Sequence, residues 1–466
     1  MSVESVAFAA AVIPLRGRAR WLRPVVTALL VPVATAQVLV EGPRWQLVPA
    51  YVVAGVLVLA GLYRLLRPGR PMLRPTLRSA AIAGGLLGLA ASTALPVLVP
   101  VFTFPEPTGP YGIGTITYHW VDQDRPEIFT ADPADRREVM VQVWYPADRD
   151  DHAPRAAYVP DAGALDALAR RGGLPPFVFS HLKDVRTNAI PAAPVAAAPR
   201  TFPLLLLATG LAGYRQYDTL GVEELVSHGY IVAGIDHPYS SAAVVFPDGQ
   251  VADFDTRMTD RTFADAILPH IAEDTRFTLD RLSAVDRADP TGRLTGRLDL
   301  AHTGLFGLSL GGEITGMGCL RDTRFRACLS MDSWMPDPVV TAGLTQPTMF
   351  LTRDSDTMRQ EGWRQSDIDR SLNTMRAVWD RLPADGYLIR IPGMYHADFG
   401  DAQLISPLLR PLGITGPLDG AKAHRIVNTY VLAFFDRYLR SLPAPLLDQP
   451  APAHPDVLFE KHTPAR

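Results

Sequence analysis

The chain has 466 residues, with 45 basic against 48 acidic side chains and a net charge of -3 at pH 7. That length is too great for one small domain and is enough for a large core with a further region beside it. The near balance of charge offers no footprint for a nucleic acid, and two cysteines, Cys319 and Cys328, cannot build a disulfide framework or a metal site.

Apolar residues crowd the N-terminal part of the chain. Residues 25–40, 45–63 and 80–104 carry no charged side chain. Each run approaches or exceeds the roughly 20 residues that cross a bilayer, so three transmembrane helices are predicted. Arg16, Arg18, Arg20 and Arg23 precede the first run, Arg44 lies between the first and second, and Arg64, Arg67, Arg70, Arg74 and Arg78 lie between the second and third. Arginine excess marks the cytoplasmic side. The N-terminus and second loop are therefore predicted inside, and everything after residue 104 outside. Residues 3–15 are not read as a secretory signal, because that apolar stretch precedes its arginines.

From Tyr111 onward the composition is that of a soluble domain. Residues 113–118 and 139–145 alternate and are rich in β-branched side chains, so two strands are predicted. Residues 162–182 read as a helix, and the Ala- and Pro-rich stretch 188–200 as a surface loop. The run 202–208 is apolar without alternation, which marks a strand buried on both faces. Helices are predicted at 220–228, 263–282 and 423–439, and further strands at 230–235, 326–331, 347–351 and 387–391. Strands alternating with helices imply an α/β fold with a mostly parallel sheet. The Pro-rich residues 443–466 are predicted to be a disordered tail. The two cysteines are read as buried free thiols, one bridge being allowed were the domain to lie outside the cytoplasm.

The sequence around Ser309 orders the rest. Gly307-Leu308-Ser309-Leu310-Gly311-Gly312 closes an apolar strand and opens a helix. This G-x-S-x-G pattern in strand–turn–helix context is the nucleophile elbow. Strand and helix approach closely there, so small residues are needed at Gly307 and Gly311. A serine hydroxyl needs a base and a group that orients the base. His396, His424, His454 and His462 follow Ser309. His424 falls in the terminal helix and the last two in the tail, which leaves His396, just past the last predicted strand. Asp332 follows one strand, and Asp354 and Asp356 the next; topology alone favours the later pair. Acyl transfer also needs donors for an oxyanion, and the backbone N–H groups of Leu310 and Leu211 are the candidates.

Several motifs together carry a family resemblance. They are Gly109-Pro110-Tyr111 with Gly114-Thr115, Val141-Gln142-Val143-Trp144-Tyr145-Pro146, Gly210-Leu211-Ala212-Gly213-Tyr214-Arg215, Ser227-His228-Gly229-Tyr230, Asp236-His237, the Ser309 elbow, Met331-Asp332-Ser333-Trp334-Met335 and His396-Ala397-Asp398-Phe399. From about Gly109 to Leu439 the chain resembles the secreted and type II intracellular platelet-activating factor acetylhydrolases and their bacterial relatives. The resemblance implies an α/β-hydrolase fold, Asp332 as the acid, and a calcium-independent serine esterase that removes short or oxidised sn-2 acyl groups from phospholipids. Two departures stand out. Thr209 occupies the place where the family usually has His, and Glu313 follows the double glycine where a small residue is common.

The expected organisation is a membrane region at 1–107, an α/β-hydrolase domain at 108–442 and a tail at 443–466, in a multi-pass protein of a bacterial plasma membrane. The expected catalytic set is Ser309, Asp332 and His396, with Leu211 and Leu310 as oxyanion donors and no cofactor or metal. The expected partners are an ester or phospholipid substrate and the membrane. A general carboxylesterase, lipase or polyester hydrolase is the alternative with the same chemistry, and a catalytically silent, membrane-tethered binding module the alternative of another class.

Overall fold

The computed structural model of the chain describes residues 22–68 and 75–464. Two compact units emerge: one runs to Val101 and takes in Ile405–Pro407, and the other comprises Phe102–Leu404 with Leu408 onward. Arg16, Arg18, Arg20, Arg70, Arg74 and the 3–15 stretch lie outside the described residues.

The first unit contains α1 (Leu22–Glu41), α2 (Val48–Leu66) and α3 (Pro75–Leu98). By length and composition each could cross a membrane. Leu30 of α1 packs with Val53, Ala54 and Leu57 of α2, and Ile82 and Leu89 of α3 lie against them. Gly88 permits close approach, since a β-carbon there would meet Val53 Cγ2 at 2.6 Å. Leu39, Val40, Leu59 and Leu87 point outward and are exposed, so the exterior of these helices is strongly apolar. The third helix starts before the uncharged run and stops at Leu98, where Pro100 bars its continuation. Phe102 and Phe104, expected in the membrane, instead belong to the second unit and pack edge-on against Tyr158, with ring centroids 5.7 and 5.1 Å away.

The second unit is built on a ten-stranded sheet, in the order β12-β11-β10-β9-β8-β4-β5-β2-β1-β3. Its strands are β1 (Gly112–Pro126), β2 (Arg136–Ala147), β3 (Ala189–Pro191), β4 (Phe202–Ala208), β5 (Ile231–Asp236), β8 (Leu298–Leu308), β9 (Phe325–Met331), β10 (Thr348–Thr352), β11 (Gly386–Arg390) and β12 (Leu458–His462). Strands β6 (Ala243–Val245) and β7 (Val251–Asp253) form a separate hairpin. From β5 through β4, β8, β9 and β10 to β11 every pairing is parallel, whereas β1–β2, β2–β5 and β11–β12 are antiparallel.

Parallel strands need crossovers, and the helices that supply them cover both faces. Leu204, Leu206 and Ala208 of β4 join one core with Leu268, Ile271 and Leu279 of α6 (Arg261–Arg287) and Ile314 and Met317 of α7 (Leu310–Arg321). Leu205 and Leu207 join the other, with Val222 and Leu225 of α5 (Thr219–Ser227) and Ile426, Tyr430 and Phe434 of α11 (Gly420–Leu439). Alternate side chains of one strand thus enter two cores, which is why β4 reads as an unbroken apolar run. Burying each of those leucines contributes roughly 1.5–3 kcal/mol.

Four expectations are corrected. Helix α4 (Ala162–Arg171) ends ten residues in, because Gly172-Gly173 follows, with Gly173 at a φ of 65°, and Pro175-Pro176 starts a 3-10 turn. The 188–200 loop contains β3, which pairs with β1. Cys319 and Cys328 are joined in a disulfide, since the α7–β9 connection brings their Cα atoms to 6.5 Å. The tail is ordered over its described length: β12 pairs with β11, and Glu460 accepts hydrogen bonds from Arg376 and Arg390.

Candidate active site

Strand β8 ends at Leu308, and Ser309 takes φ 60° and ψ -125° before α7 begins. Few non-glycine residues tolerate that backbone. Its neighbours explain why the chain bends there. A β-carbon at Gly307 would lie 2.5 Å from the Gly311 carbonyl, and one at Gly311 would overlap the carbonyl of Ala208. One at Gly312 would meet Ser330 Oγ at 2.5 Å. Small residues at these three positions let the elbow close.

The loop after β4 approaches the same bend. A β-carbon at Gly210 would lie 3.0 Å from Leu308 O and 3.5 Å from Ser309 Cβ. The loop is pinned through Ala212 N–H to Ser240 O at 2.7 Å, and through Arg215, which pairs with Asp236. Thr209, where the resembling family carries His, is buried with its hydroxyl 3.3 Å from Ser241 Oγ. The altered residue is therefore accommodated by a small hydroxyl pair. The amide groups of Leu211 and Leu310 find no acceptor among the described residues.

Glu313, the second departure, is buried on α7. Arg261 of α6 pairs with it, donating from Nη1 at 3.0 Å. Arg261 also lies 4.4 Å from the ring centre of Trp334, and Arg370 lies 5.0 Å from it, so two guanidinium groups pack on the loop after β9.

Asp332 and His396 are brought into direct contact. Ser309 N–H donates to Met331 O at 2.9 Å, Asp332 N–H to Leu351 O at 2.8 Å, and Ile391 N–H to Thr352 O at 2.8 Å. The parallel ladder thus continues one residue past each strand and sets Ser309 and Asp332 on one edge of the sheet. His396 Nδ1 lies 2.5 Å from Asp332 Oδ2. Thr352 Oγ1 donates to Asp332 Oδ1 at 2.8 Å. Burial works to raise the Asp332 pKa, yet the Arg353 charge and the His396 bond outweigh it and hold the carboxyl well below the usual range. Asp354 is occupied elsewhere: it caps α9 (Ser355–Gln360), accepting from the amides of Asp356 and Thr357, and Asp356 pairs with Arg359.

The loop bearing His396 is tied to the rest. Asp398 is buried and accepts from the amides of Tyr395 and Gly416, both at 2.7 Å. Tyr217 Oη donates to Ala397 O, and Asp401 accepts from the amides of Thr219 and Leu220, capping α5. Asp218, at the N-cap position of α5, makes no cap; it is buried with Oδ1 unpartnered, and burial pushes its pKa up to about 7.

Three residues that sequence reasoning passed over, Arg353, Glu361 and Trp363, surround this pair. Their signal was faint: a lone arginine after a buried strand. His424, set aside from the sequence, lines a cavity of about 980 Å³ between α5 and α11, which Ser309, Asp332 and His396 do not line. Among the described residues no group of three or more His, Cys, Asp or Glu side chains is arranged to hold a metal ion.

The family described as "Platelet-activating factor acetylhydrolase, isoform II" matches residues 99–259 and 280–442. The chain is 25% identical to a platelet-activating factor acetylhydrolase of Cavia porcellus over 72% of its own length and 78% of that protein. It is 23% identical to a probable 1-alkyl-2-acetylglycerophosphocholine esterase of Arthroderma benhamiae over 81% of its length and 99% of that protein. Among solved structures, a ferulic acid esterase from Streptomyces cinnamoneus is 29% identical, with a TM-score of 0.61 over 77% of this chain and 99% of that one.

Proposed function

Since the chain belongs to the platelet-activating factor acetylhydrolase, isoform II, family and is a carboxylic ester hydrolase, we propose that it works through Ser309, His396 and Asp332. The observation that carries this reading is the His396–Asp332 hydrogen bond at the sheet edge where Ser309 bends out. Ser309 Oγ attacks the ester carbonyl while the free nitrogen of His396, Nε2, takes its proton. The amides of Leu211 and Leu310 hold the oxyanion, a contribution of about 10²–10³ in turnover for each such donor. The imidazolium then protonates the leaving alcohol, and water repeats the sequence on the acyl-enzyme to release the acid. Asp332 orients the imidazole and stabilises its cation.

The substrate proposed is a phospholipid with a short or oxidised sn-2 acyl group. The names of the two relatives support it, and so do three helices able to cross a membrane. We further propose three spans with the hydrolase unit on the outer face. The arginine pattern supports this, as does the Cys319–Cys328 bridge, since disulfides persist in oxidising compartments. The likeness to a ferulic acid esterase favours a second reading, a carboxylesterase acting on non-lipid esters.

Labelling with a fluorophosphonate tests the nucleophile: wild type takes the label and Ser309→Ala does not. A p-nitrophenyl series from acetate to palmitate, run beside a short-chain phospholipid, tests the substrate. Turnover of simple esters without phospholipid turnover selects the second reading. Absence of label on wild type removes both.

A further inference from the structure

In a Ser-His-Asp arrangement the carboxylate's work is to stabilise the imidazolium. Here that carboxylate is shared with a full cation. Arg353, fully buried at the end of β10, donates from Nε to Asp332 Oδ1 at 2.9 Å and sets Nη2 2.9 Å from Oδ2, the same oxygen that meets His396. One hydrogen bond from Nε and one charge contact from Nη2 thus hold the carboxyl group.

A second carboxylate faces the arginine from its far side. Glu361 pairs with Arg353 Nη1 and also accepts the backbone N–H of His396, at 3.3 and 3.4 Å to its two oxygens. Trp363 completes the box. Its ring lies 4.5 Å from the Arg353 guanidinium and 5.8 Å from the His396 ring. The charged groups around the imidazole are therefore Asp332 from β9, Arg353 from β10 and Glu361 after α9. Asp398 of the histidine's own loop lies within the field of Arg353 and is engaged by the Tyr395 and Gly416 amides. The first three sum to one negative charge.

We propose that Arg353 and Glu361 are positioning residues that set the proton affinity of the reaction's base through this charge sum. The proposal rests on the reading of Ser309, His396 and Asp332 given above. Arg353 draws on the carboxylate that would stabilise the imidazolium, and Glu361 returns that charge from the other side. The acid limb of the pH profile of kcat/KM reports the balance.

The test is a charge series on the full chain in detergent micelles, read as kcat/KM for p-nitrophenyl acetate from pH 5 to 9. Glu361→Gln removes one negative charge and preserves shape, so the acid limb moves to lower pH by about one unit. Arg353→Met removes the cation, and the limb moves to higher pH by a similar amount. The double variant restores the sum and returns the limb toward wild type. Arg353→Lys keeps the charge without the Nε hydrogen bond to Asp332, so the limb stays in place while kcat falls about tenfold. If Arg353→Met does not fold, Glu361→Gln decides alone. An unmoved limb in an active, fluorophosphonate-labelled Glu361→Gln enzyme overturns the proposal and leaves the esterase reading standing. A wild-type chain that takes no label overturns the esterase reading itself.

Discussion

Asp218→Asn makes the folded unit more stable at alkaline pH, and the gain can be worked out in advance. Asp218 stands where a helix cap is expected, yet Asp401 has taken the amides it would have bonded. Its carboxyl is buried with Oδ1 unpartnered, and burial lifts its pKa from 3.8 to about 7. An unfolded chain loses this proton near pH 4, whereas the folded chain keeps it to about pH 7. Folded protein thus binds more protons between those values, and its stability falls as pH rises through them. Roughly three units at 1.36 kcal/mol each give a total near 4 kcal/mol, of which about 3 kcal/mol develops between pH 5 and pH 8.5. A unit of about 360 residues with an unfolding entropy near 2.1 cal/mol/K per residue changes Tm by about 4 °C for that energy. Asparagine is uncharged throughout, so the difference in Tm between Asp218→Asn and wild type should grow by about 4 °C in favour of the variant over this range. Thermal melts of both proteins at the two pH values measure it. A difference that is the same at pH 5 and pH 8.5 refutes the reasoning.

Four further outcomes are expected. Asp332→Asn lowers kcat by about 10⁴-fold, because the imidazole loses its orienting carboxylate, and steady-state kinetics on p-nitrophenyl acetate checks it. Wild-type stability should also decline as pH falls below about 4, because the depressed carboxyl of Asp332 contributes above its unfolded value and loses that contribution on protonation. Opening the disulfide with Cys319→Ser and Cys328→Ser costs about 2–3 kcal/mol for a loop with a separation of 9 residues, read as a lower Tm under non-reducing conditions. Phe104→Ala costs about 3–5 kcal/mol of the hydrolase unit's stability, since Phe104 is buried against Tyr158; a residue lying in lipid would give no such loss.

What could be read from the sequence followed from steric and periodic constraints. The Gly307–Gly312 spacing announces a bend too tight for side chains, and the unbroken run of β4 announces a strand covered on both sides. Both are local signals with one physical cause. The contest between Asp332 and Asp354 was not decidable in that way, because both follow strands of the same parallel ladder. The two differ in what their oxygens meet: Asp354 spends its own on the N-terminus of α9, whereas Asp332 lies against His396. Residues 102–104 were misassigned because apolar aromatic side chains suit a bilayer and a protein core equally. The terminal strand was missed because pairing with β11 is a long-range contact, and a five-residue strand after a Pro-rich stretch carries little signal of its own. Arg353 was invisible for the same reason: its partners arrive from β9 and from beyond α9.

Strand β12 has a consequence for how the protein ages. It satisfies the outer hydrogen-bonding row of β11, the strand that leads into the His396 loop. A protease that clipped the chain before Leu458 would bare that row, and a naked sheet margin recruits other chains. Enzyme worn in this way would lose activity through clumping, with Ser309, His396 and Asp332 still in place.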